Sequence, residues 1–204
     1  SHMSLASIMQ LQALNKLIKG QLKAWPVSST MILGIAGGNG LEHIRDSGIK
    51  KVYGVDINAA YLSETSVRYQ DLGNILELLC IDLHKCSGKL PKAELLIANL
   101  LVEYIGCGCF QQVVQQVEPK YVSCVIQVNT GVSWVSDSPY LHVFDGLKRV
   151  YHQIDADMLR ESMSGIGYRY IGALEYPLPN GKKLVRLDFK KGSMDMLLPD
   201  STAG

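Results

Sequence analysis

Residues 31–57, MILGIAGGNGLEHIRDSGIKKVYGVDI, constrain the fold more than any other stretch of the sequence. A wholly apolar run leads at once into Gly37-Gly38-Asn39-Gly40, and a short helical pattern then precedes a second run that ends at Asp56. An uninterrupted apolar run is typical of a strand buried on both faces of a parallel sheet. The order strand, glycine turn, helix, strand predicts binding of a nucleoside-bearing ligand at the carboxyl ends of such strands.

The alternation of strands and helices continues beyond this stretch. Dense apolar runs predict strands, and apolar residues three or four apart predict helices. The expected strands are residues 31–36, 51–56, 77–81, 94–98 and 121–128, and the expected helices are a short one ending near Ser47, then 59–70 with Asn58 as its N-cap, and 103–117. This order predicts an α/β fold with a doubly wound, mostly parallel sheet and helices on both faces.

The end of the chain predicts an antiparallel hairpin. Residues 168–176 and 183–190 read as strands, and Asn180-Gly181 between them is a strong hairpin signal because both residues tolerate positive φ. The sheet is therefore expected to have seven strands. A helix is expected from Asp155 to about residue 165, with these residues inward: Met158, Leu159, Ser162, Met163 and Ile166.

Two segments outside this alternation are candidates to cover the ligand site, and the alternative for the first of them is that it only caps the sheet. Residues 4–23 carry an apolar stripe at helical spacing, and residues 130–153 form a connection too long to be a plain loop. The aromatic residues of that cap insert are Trp134, Tyr140, Phe144 and Tyr151. We expect one domain over residues 4–191, preceded by Ser1-His2-Met3, which resembles a vector remnant, and followed by a mobile tail at 192–204.

Composition narrows the class of protein. Hydrophobic residues make up 47 % and charged residues 19 %, with a net charge of +1, so a globular protein without a basic excess is expected. No apolar run approaches the roughly 18 residues of a membrane span, and no secretion signal is visible, so we expect a cytoplasmic protein. The five cysteines are odd in number, so reduced thiols are expected. Cys107-Gly108-Cys109 lacks the spacing of zinc ligands, so no metal site is expected.

Two acids extend the glycine turn into a candidate nucleoside site. Glycine lets backbone approach a ligand closely, and the following helix presents free N–H groups. Asp56 ends the second strand, where a carboxylate accepts both hydroxyls of a ribose. Asp82 ends the third strand, where it faces an adenine amino group, with Ile81 or Leu83 against the ring. The alternative for Asp82 is a solvated acid at a strand end.

With these motifs in this order, residues 31–190 resemble the class I S-adenosylmethionine-dependent methyltransferases. The segments that carry the resemblance are LGIAGGNGLEHI, VYGVDIN, LLCIDL and AELLIANLLVEYI, followed by the hairpin. It implies S-adenosylmethionine as cofactor and S-adenosylhomocysteine as product. It further implies that Ala36, Gly38 and Gly40 line the methionine and ribose end, Asp56 and Ile57 the ribose, Asp82 and Leu83 the adenine, and Asn99 and Leu100 the methyl sulfonium.

The sequence departs from the pattern of that family at two positions. Gly34 stands where the family carries an acid, and Ala36 stands at its first glycine, which puts the contact with the amino group of the cofactor in question. Asn99-Leu100-Leu101 lacks the Pro-Pro pair of enzymes that methylate nucleic-acid amino groups. The rival nicotinamide fingerprint requires a third glycine where His43 stands, so an NAD-dependent oxidoreductase is disfavoured.

The catalytic candidates are Glu103, His142 and His152, with Tyr151 as a further possible base. A base is needed only when the acceptor must lose a proton. The aromatic residues of the cap insert and the neutral charge favour a small, apolar or aromatic methyl acceptor. The alternatives are an RNA or protein acceptor, or a non-catalytic cofactor-binding subunit with a degenerate site, which Gly34 favours. The sequence carries no signal for the oligomeric state.

Overall fold

The computed structural model describes residues 5–85, 90–129, 152–179 and 181–193. The strands are Ser29–Leu33 (β1), Lys51–Asp56 (β2), Leu76–Cys80 (β3), Leu95–Asn99 (β4), Tyr121–Asn129 (β5), Tyr168–Leu178 (β6) and Lys182–Lys191 (β7). The α-helices are Leu5–Lys23 (α1), Ala59–Arg68 (α2), Val102–Val117 (α3) and Ala156–Gly165 (α4).

All seven strands belong to one sheet, in the order β3-β2-β1-β4-β5-β7-β6. The first five pair in parallel, and β7 lies antiparallel between β5 and β6. The predicted fold class is confirmed, including the closing hairpin. Strand order reverses between β1 and β4, and in open α/β sheets ligands bind at the carboxyl side of such a switch point.

Strand β1 is shifted toward the N-terminus relative to the prediction of residues 31–36. Thr30, Met31, Ile32 and Leu33 are buried, which confirms a strand covered on both faces. The strand ends earlier than predicted because Gly34 adopts a φ of 67° and turns the chain out of the extended region. The backbone N–H groups of residues 34 and 35 both donate to the carbonyl of Val55, which closes the turn against β2.

The two helices that follow β1 and β2 are confirmed, with small differences at their ends. The short helix after the glycine turn is a 3-10 helix, Leu41–Asp46, and Ser47 is its C-cap. Helix α2 ends at Arg68 and a separate 3-10 turn covers Gln70–Leu72, because Tyr69 leaves helical geometry at φ −116° and ψ 34°. The predicted cap is confirmed, since the side chain of Asn58 accepts hydrogen bonds from two backbone N–H groups of α2.

Helices α3 and α4 each depart from the prediction at one position. Gly106 interrupts α3 with a φ of 76° and a ψ of 159°, so the helix consists of a first turn and a longer second part. Asp155 caps α4 as expected, and Leu159 and Met163 are fully buried. The expectation that Met158 points inward is wrong, because its side chain is 48 % exposed.

The hairpin and the N-terminal helix are confirmed as elements. Gly181 has a φ of 64°, as a hairpin turn requires, whereas Asn180 lies outside the described residues. Helix α1 buries Leu14, Leu17, Ile18 and Leu22, which pack in apolar clusters against the sheet and the glycine turn. The predicted stripe does not reach its first turns, where Leu5, Ile8 and Met9 are exposed. Residues 130–151 of the predicted cap lie outside the described residues.

Candidate functional site

The predicted ligand residues lie at the carboxyl ends of the parallel strands. The glycine turn follows β1, Asp56 is the last residue of β2, Asp82 follows β3, and Asn99 is the last residue of β4. These four strands are neighbours and parallel, so their carboxyl ends meet. The sheet therefore brings together residues from four separate segments of the sequence, on both sides of the switch point.

Asp56 joins the carboxyl ends of β1 and β2. Its Oδ2 accepts a hydrogen bond from the backbone N–H of Ala36 at 2.8 Å, and its Oδ1 accepts one from that of Asn58 at 2.9 Å. Ala36 itself has a φ of 46° and Asp56 is 9 % exposed. Ile57, next along the chain, is half-buried. A carboxylate oxygen can accept more than one hydrogen bond, so Asp56 holds the turn and still offers acceptors to a ligand.

Helix α2 fixes the backbone of the glycine turn. Three successive carbonyl groups of the turn accept hydrogen bonds from side chains near the end of α2. The pairs are Thr65 Oγ1 to Ala36 O at 3.4 Å, Arg68 Nη1 to Gly37 O at 3.3 Å and Tyr69 Oη to Gly38 O at 2.8 Å. The turn is therefore held in one conformation by protein groups, which lowers the cost of ordering it around a ligand.

Gly38 tolerates no side chain, whereas Gly37 does. At Gly38 a Cβ would lie 2.8 Å from Tyr69 Cε2, and the φ of 76° disfavours any L-residue. Gly38→Ala is expected to lower the free energy of unfolding by about 2 kcal/mol, from left-handed strain and overpacking. Gly37→Ala is the matched control, because no atom of the described residues lies within 4 Å of its Cβ position. Equal urea midpoints for the two variants would contradict this assignment.

Gly40 is required by helix α1. A Cβ at this position would lie 2.9–3.0 Å from three side-chain atoms of Ile18, and φ is 89°. The N–H of Gly40 donates to Glu42 Oε2 at 3.1 Å. Close packing of α1 on the turn is therefore the structural reason for this glycine.

Sequence reasoning missed Glu42, which organises the far side of the turn. Its Oε1 accepts a hydrogen bond from Asn15 Nδ2 at 2.6 Å, and its Oε2 lies 3.1 Å from Tyr69 Oη, whose single proton is shared between Glu42 and the carbonyl of Gly38. Burial alone would raise the pKa of Glu42, but the hydrogen bonds from Asn15 and Tyr69 and the nearby His43 lower it overall. The carboxylate stays ionised and ties α1, the turn and α2 together. Its only sequence signal is an acid in the first turn after the glycines.

The Cβ direction of Gly34 faces an apolar side chain and no acid. A Cβ built on Gly34 would lie 3.2 Å from Leu101 Cδ1, so a leucine occupies the direction in which an acid would project. A cavity of about 30 Å³ lies beside Gly34, bounded by Leu14, Ile18 and Asn99 among others. Among the described residues, no acid lines this cavity in place of the missing one. The packing around Gly34 is therefore consistent with a glycine at this position, where the sequence lacks the acid of the methyltransferase family.

Asp82 and Leu83 form a short 3-10 turn with the residues that follow. Asp82 Oδ1 accepts a hydrogen bond from the backbone N–H of His84 at 3.0 Å, and Lys85 Nζ lies 3.8 Å from Oδ2. The carbonyl of Leu83 accepts a contact from Cys109 Sγ at 3.5 Å, which joins this turn to α3. Asp82 is 21 % exposed, so its carboxylate remains accessible at the edge of β3.

Asn99 and Leu100 face helix α1. Asn99 Nδ2 donates to Gln21 Oε1 at 2.8 Å, and Gln21 Nε2 donates back to Asn99 Oδ1 at 2.9 Å. Leu100 has a φ of 52° and belongs to the apolar cluster that includes Leu14 and Leu17. The two residues predicted beside the methyl group are thus fixed by α1, an association that the sequence does not reveal.

Glu103 is a buried acid next to the switch point. It is 2 % exposed, and its Oε1 accepts a hydrogen bond from the backbone N–H of Gln127 at 2.9 Å. Its Oε2 has no hydrogen-bond partner among the described residues. Burial raises the pKa of Glu103 to about 7, although the bond from Gln127 acts in the opposite direction. A carboxyl group with this pKa exchanges a proton near neutral pH, as a general base must.

His152 lies against the interruption in α3. Its backbone N–H donates to the carbonyl of Glu103 at 2.7 Å, next to the point where Gly106 departs from helical geometry. A Cβ on Gly106 would lie 3.2 Å from His152 Nε2. The structure therefore joins the backbones of two of the three catalytic candidates, while the Glu103 carboxyl contacts Gln127 and the His152 ring lies against Gly106. The third, His142, lies outside the described residues, as does Tyr151.

Comparison with known proteins identifies the fold. No protein-family model and no curated protein matches the sequence. The methyltransferase domain of bacterial CtHen1-C is 15 % identical with a TM-score of 0.67, over 91 % of this chain and 100 % of that one. Magnesium protoporphyrin IX methyltransferase from Synechocystis PCC 6803, with bound S-adenosylmethionine, is 12 % identical with a TM-score of 0.64, over 94 % and 86 %.

A protein with a different activity is equally similar. The [4+2]-cyclase SpnF is 12 % identical with a TM-score of 0.64, over 88 % of this chain and 81 % of that one. The chain therefore has the fold of class I S-adenosylmethionine-dependent methyltransferases, and at these identities the likeness shows the fold alone. Among the described residues, no helix is long and apolar enough to cross a membrane. In the same ranges, no three His, Cys, Asp or Glu side chains are grouped to hold a metal ion.

Proposed function

We propose that the protein is an S-adenosylmethionine-dependent methyltransferase that acts on a small, apolar or aromatic molecule. The observation that carries this proposal is the direct contact between the glycine turn, which follows β1 at the switch point, and Asp56 at the end of the neighbouring strand β2. The neighbours that bind S-adenosylmethionine or S-adenosylhomocysteine in solved structures share this fold. We further propose a single cytoplasmic domain over residues 4–191.

The residues present fit a nucleoside cofactor at its ribose and adenine end. Asp56 offers lone pairs to ribose hydroxyls, and Asp82 is accessible at the next strand end. The full proposed set is Ala36, Gly38 and Gly40 at the methionine and ribose end, Asp56 and Ile57 at the ribose, Asp82 and Leu83 at the adenine, and Asn99 and Leu100 near the methyl group. The fit is poorer at the amino-acid end, where Leu101 adjoins Gly34.

The residues of this chain would hold the methyl acceptor in place and accept its proton. When bound, the cofactor would supply a methyl group on a sulfonium: the acceptor lone pair forms a bond to the methyl carbon as the carbon–sulfur bond breaks, and S-adenosylhomocysteine leaves. Holding an acceptor in the right geometry is worth up to roughly 7–11 kcal/mol. Glu103 is the stronger candidate for the base because it is buried and ionises near neutral pH. His152, fixed to the carbonyl of Glu103, is the second candidate, and His142 remains a candidate on sequence alone.

Calorimetry with S-adenosylmethionine and S-adenosylhomocysteine tests the proposal. Asp56→Ala should weaken binding by about 1.5–3 kcal/mol, the range for a hydrogen bond to a charged group, or roughly 10- to 150-fold. Asp157→Ala is the control, because Asp157 is a 91 % exposed acid of α4, which packs on the hairpin, and it is paired with Arg160. If the wild-type chain binds neither compound, the methyltransferase proposal is wrong.

A second candidate is a cofactor-binding protein of this fold that does not transfer methyl groups. It is favoured by the apolar side chain that faces Gly34 and by the [4+2]-cyclase among the structural neighbours. Incubation with S-adenosylmethionine and mixed cell metabolites separates the two functions, since only a methyltransferase forms S-adenosylhomocysteine. An RNA acceptor, the other alternative, predicts steep salt dependence of acceptor binding.

A further inference from the structure

The carboxyl group of Glu103 lies directly beyond the end of β4. Asn99, the last residue of β4, pairs with Val125 of β5, and the N–H of Leu100 donates to the Val125 carbonyl at 2.7 Å. Two residues further along β5, the backbone N–H of Gln127 donates to Glu103 Oε1 at 2.9 Å. Strands rise about 3.3 Å per residue, so the carboxyl group continues the row of β4 contacts about 7 Å past Val125.

The second carboxyl oxygen of Glu103 is buried without a partner. The residue is 2 % exposed, and among the described residues its Oε2 has no hydrogen-bond partner. A buried acceptor that is left unpaired costs free energy, and a charged acceptor costs more than a neutral one. Because this oxygen lies at the carboxyl end of the sheet, next to the switch point, we infer that a ligand supplies its missing partner.

No cation in the described part of the chain compensates the charge of Glu103. Burial raises the pKa of its carboxyl group, the backbone N–H groups of Gln127 and of Glu103 itself act in the opposite direction, and no charged side chain contributes. The polar side chains nearby are neutral amides, since Gln10 donates to Gln127 and Asn99 pairs with Gln21. A carboxylate in such surroundings is stabilised by a positive partner.

We propose that the methyl acceptor is an amine and that Glu103 Oε2 binds an N–H group of the nitrogen that is methylated. This inference rests on the proposed methyltransferase function, in which Asn99 lies beside the methyl group. A protonated amine supplies both the missing hydrogen bond and the missing positive charge. An alcohol or a phenol supplies only the hydrogen bond and leaves the buried charge uncompensated.

Glu103 also accounts for the proton in this reaction. An ammonium group has no lone pair, so one proton first moves from its nitrogen to Oε2, which leaves a neutral amine and a neutral carboxyl group. The nitrogen lone pair then forms a bond to the methyl carbon as the carbon–sulfur bond breaks, and the sulfur keeps the bonding electrons in S-adenosylhomocysteine. The methylated ammonium product dissociates, and Glu103 releases its proton to water.

The test compares benzylamine with benzyl alcohol, which have the same ring and nearly the same size but differ in charge. Both are titrated into the full chain, with and without S-adenosylhomocysteine, at about pH 8, where the Glu103 carboxyl group is mostly ionised. Benzylamine is expected to bind roughly tenfold more tightly or better, the least that a hydrogen bond to a charged group contributes. It should also shift the backbone amide signal of Gln127, which donates to the same carboxyl group.

Glu103→Gln is expected to abolish the preference for benzylamine. This variant keeps an acceptor for the Gln127 N–H, and urea unfolding checks that it is folded. Glu64→Gln, at an exposed position of α2, is the control that should retain the preference. Equal binding of the two probes by the wild type, no binding of benzylamine, or a preference that persists in Glu103→Gln would overturn the proposal.

The position of the transferred methyl group is a second measurement. S-adenosylmethionine with a carbon-13 methyl group, incubated with the chain and mixed cell metabolites, labels the product. The carbon chemical shift of the methyl group distinguishes attachment to nitrogen, which we expect, from attachment to oxygen, carbon or sulfur, any of which would overturn the proposal. A chain that neither binds nor forms S-adenosylhomocysteine would contradict the proposed function instead, so the two failures are distinguishable.

Discussion

Asp188→Ala is expected to lower the free energy of unfolding by about 3–5 kcal/mol, the cost of leaving one partner of a buried ion pair alone. Arg186 is 8 % exposed, and its Nε and Nη2 both lie 2.9 Å from oxygens of Asp188. Ser123 Oγ donates to the same carboxylate at 2.6 Å and would lose its acceptor too. Urea denaturation at neutral pH measures the effect.

Asp188→Asn is the informative control for this prediction. Its amide oxygen can still accept from Ser123 Oγ and Arg186 Nε, but the amide is neutral and its nitrogen cannot accept from Nη2, so the charge of Arg186 stays unpaired. We therefore expect a loss smaller than with alanine, because these two hydrogen bonds are kept, but above about 1 kcal/mol. Arg186→Met combined with Asp188→Ala should recover much of it, because no unpaired charge remains buried. A loss below about 1 kcal/mol in Asp188→Ala, the scale of an exposed pair, would show that water already solvates these charges.

Asp188→Ala is also expected to affect the candidate site, because hydrogen bonds connect the two regions. Ser123 Oγ also accepts a hydrogen bond from Gln21 Nε2, and Gln21 pairs with Asn99 at the end of β4. A chain of polar contacts thus runs from the antiparallel hairpin through α1 to the switch point. Asp188→Ala should therefore weaken cofactor binding beyond its effect on global stability, if Asn99 has the role we propose.

Features set by neighbouring residues were predictable from the sequence. Asn58 caps α2 because its side chain reaches N–H groups two and three residues ahead, a purely local geometry. The end of β2 at Asp56 and the closing hairpin follow from local patterns of apolar and turn residues. The parallel order then follows from strands alternating with helices, which allows few topologies.

Features set by distant contacts were not predictable. Gln21 and Asn99, or Asn15 and Glu42, are brought together only by the docking of α1, and nothing in their local sequence encodes the pairing. The sequence pattern also did not show that the short helix at Leu41–Asp46 is of the 3-10 type. Gly106 and Gly108 both lie early in α3, and only the structure shows that Gly106 carries the kink.

Helix α1 makes several of these long-range contacts. Asn15 binds Glu42, Ile18 packs on Gly40, and Gln21 binds Asn99, so one face of the helix meets both sides of the switch point. Sequence reasoning placed this helix near the site but left open whether it merely covers the sheet. Its polar contacts with both the glycine turn and β4 favour a direct role in shaping the site.

Glu103→Gln is expected to stabilise the protein at neutral pH by about 3 kcal/mol, from a shift of the pKa from 4.5 to about 7. The direction of this effect follows from the fact that the unfolded state loses the Glu103 proton at a lower pH than the folded state. Between pH 4.5 and 7 the unfolded chain ionises at Glu103 while the folded chain does not, so the wild type loses stability as pH rises. Above pH 7 the difference is constant, and below pH 4.5 it vanishes, whereas glutamine has no proton to exchange.

Urea unfolding of both proteins from about pH 4.5 to about pH 8.5, a range that brackets the shifted pKa, measures this divergence. The amide introduced by Glu103→Gln keeps an oxygen acceptor for the Gln127 N–H, so the neutral states are closely matched. Glu64→Gln, on the exposed side of α2, is the control in which no buried carboxyl is removed. If Glu103 is the base, its variant should gain stability and lose methyl transfer together, because a buried carboxyl that ionises near pH 7 is kept at the expense of stability. Parallel pH profiles for wild type and Glu103→Gln would contradict the burial argument.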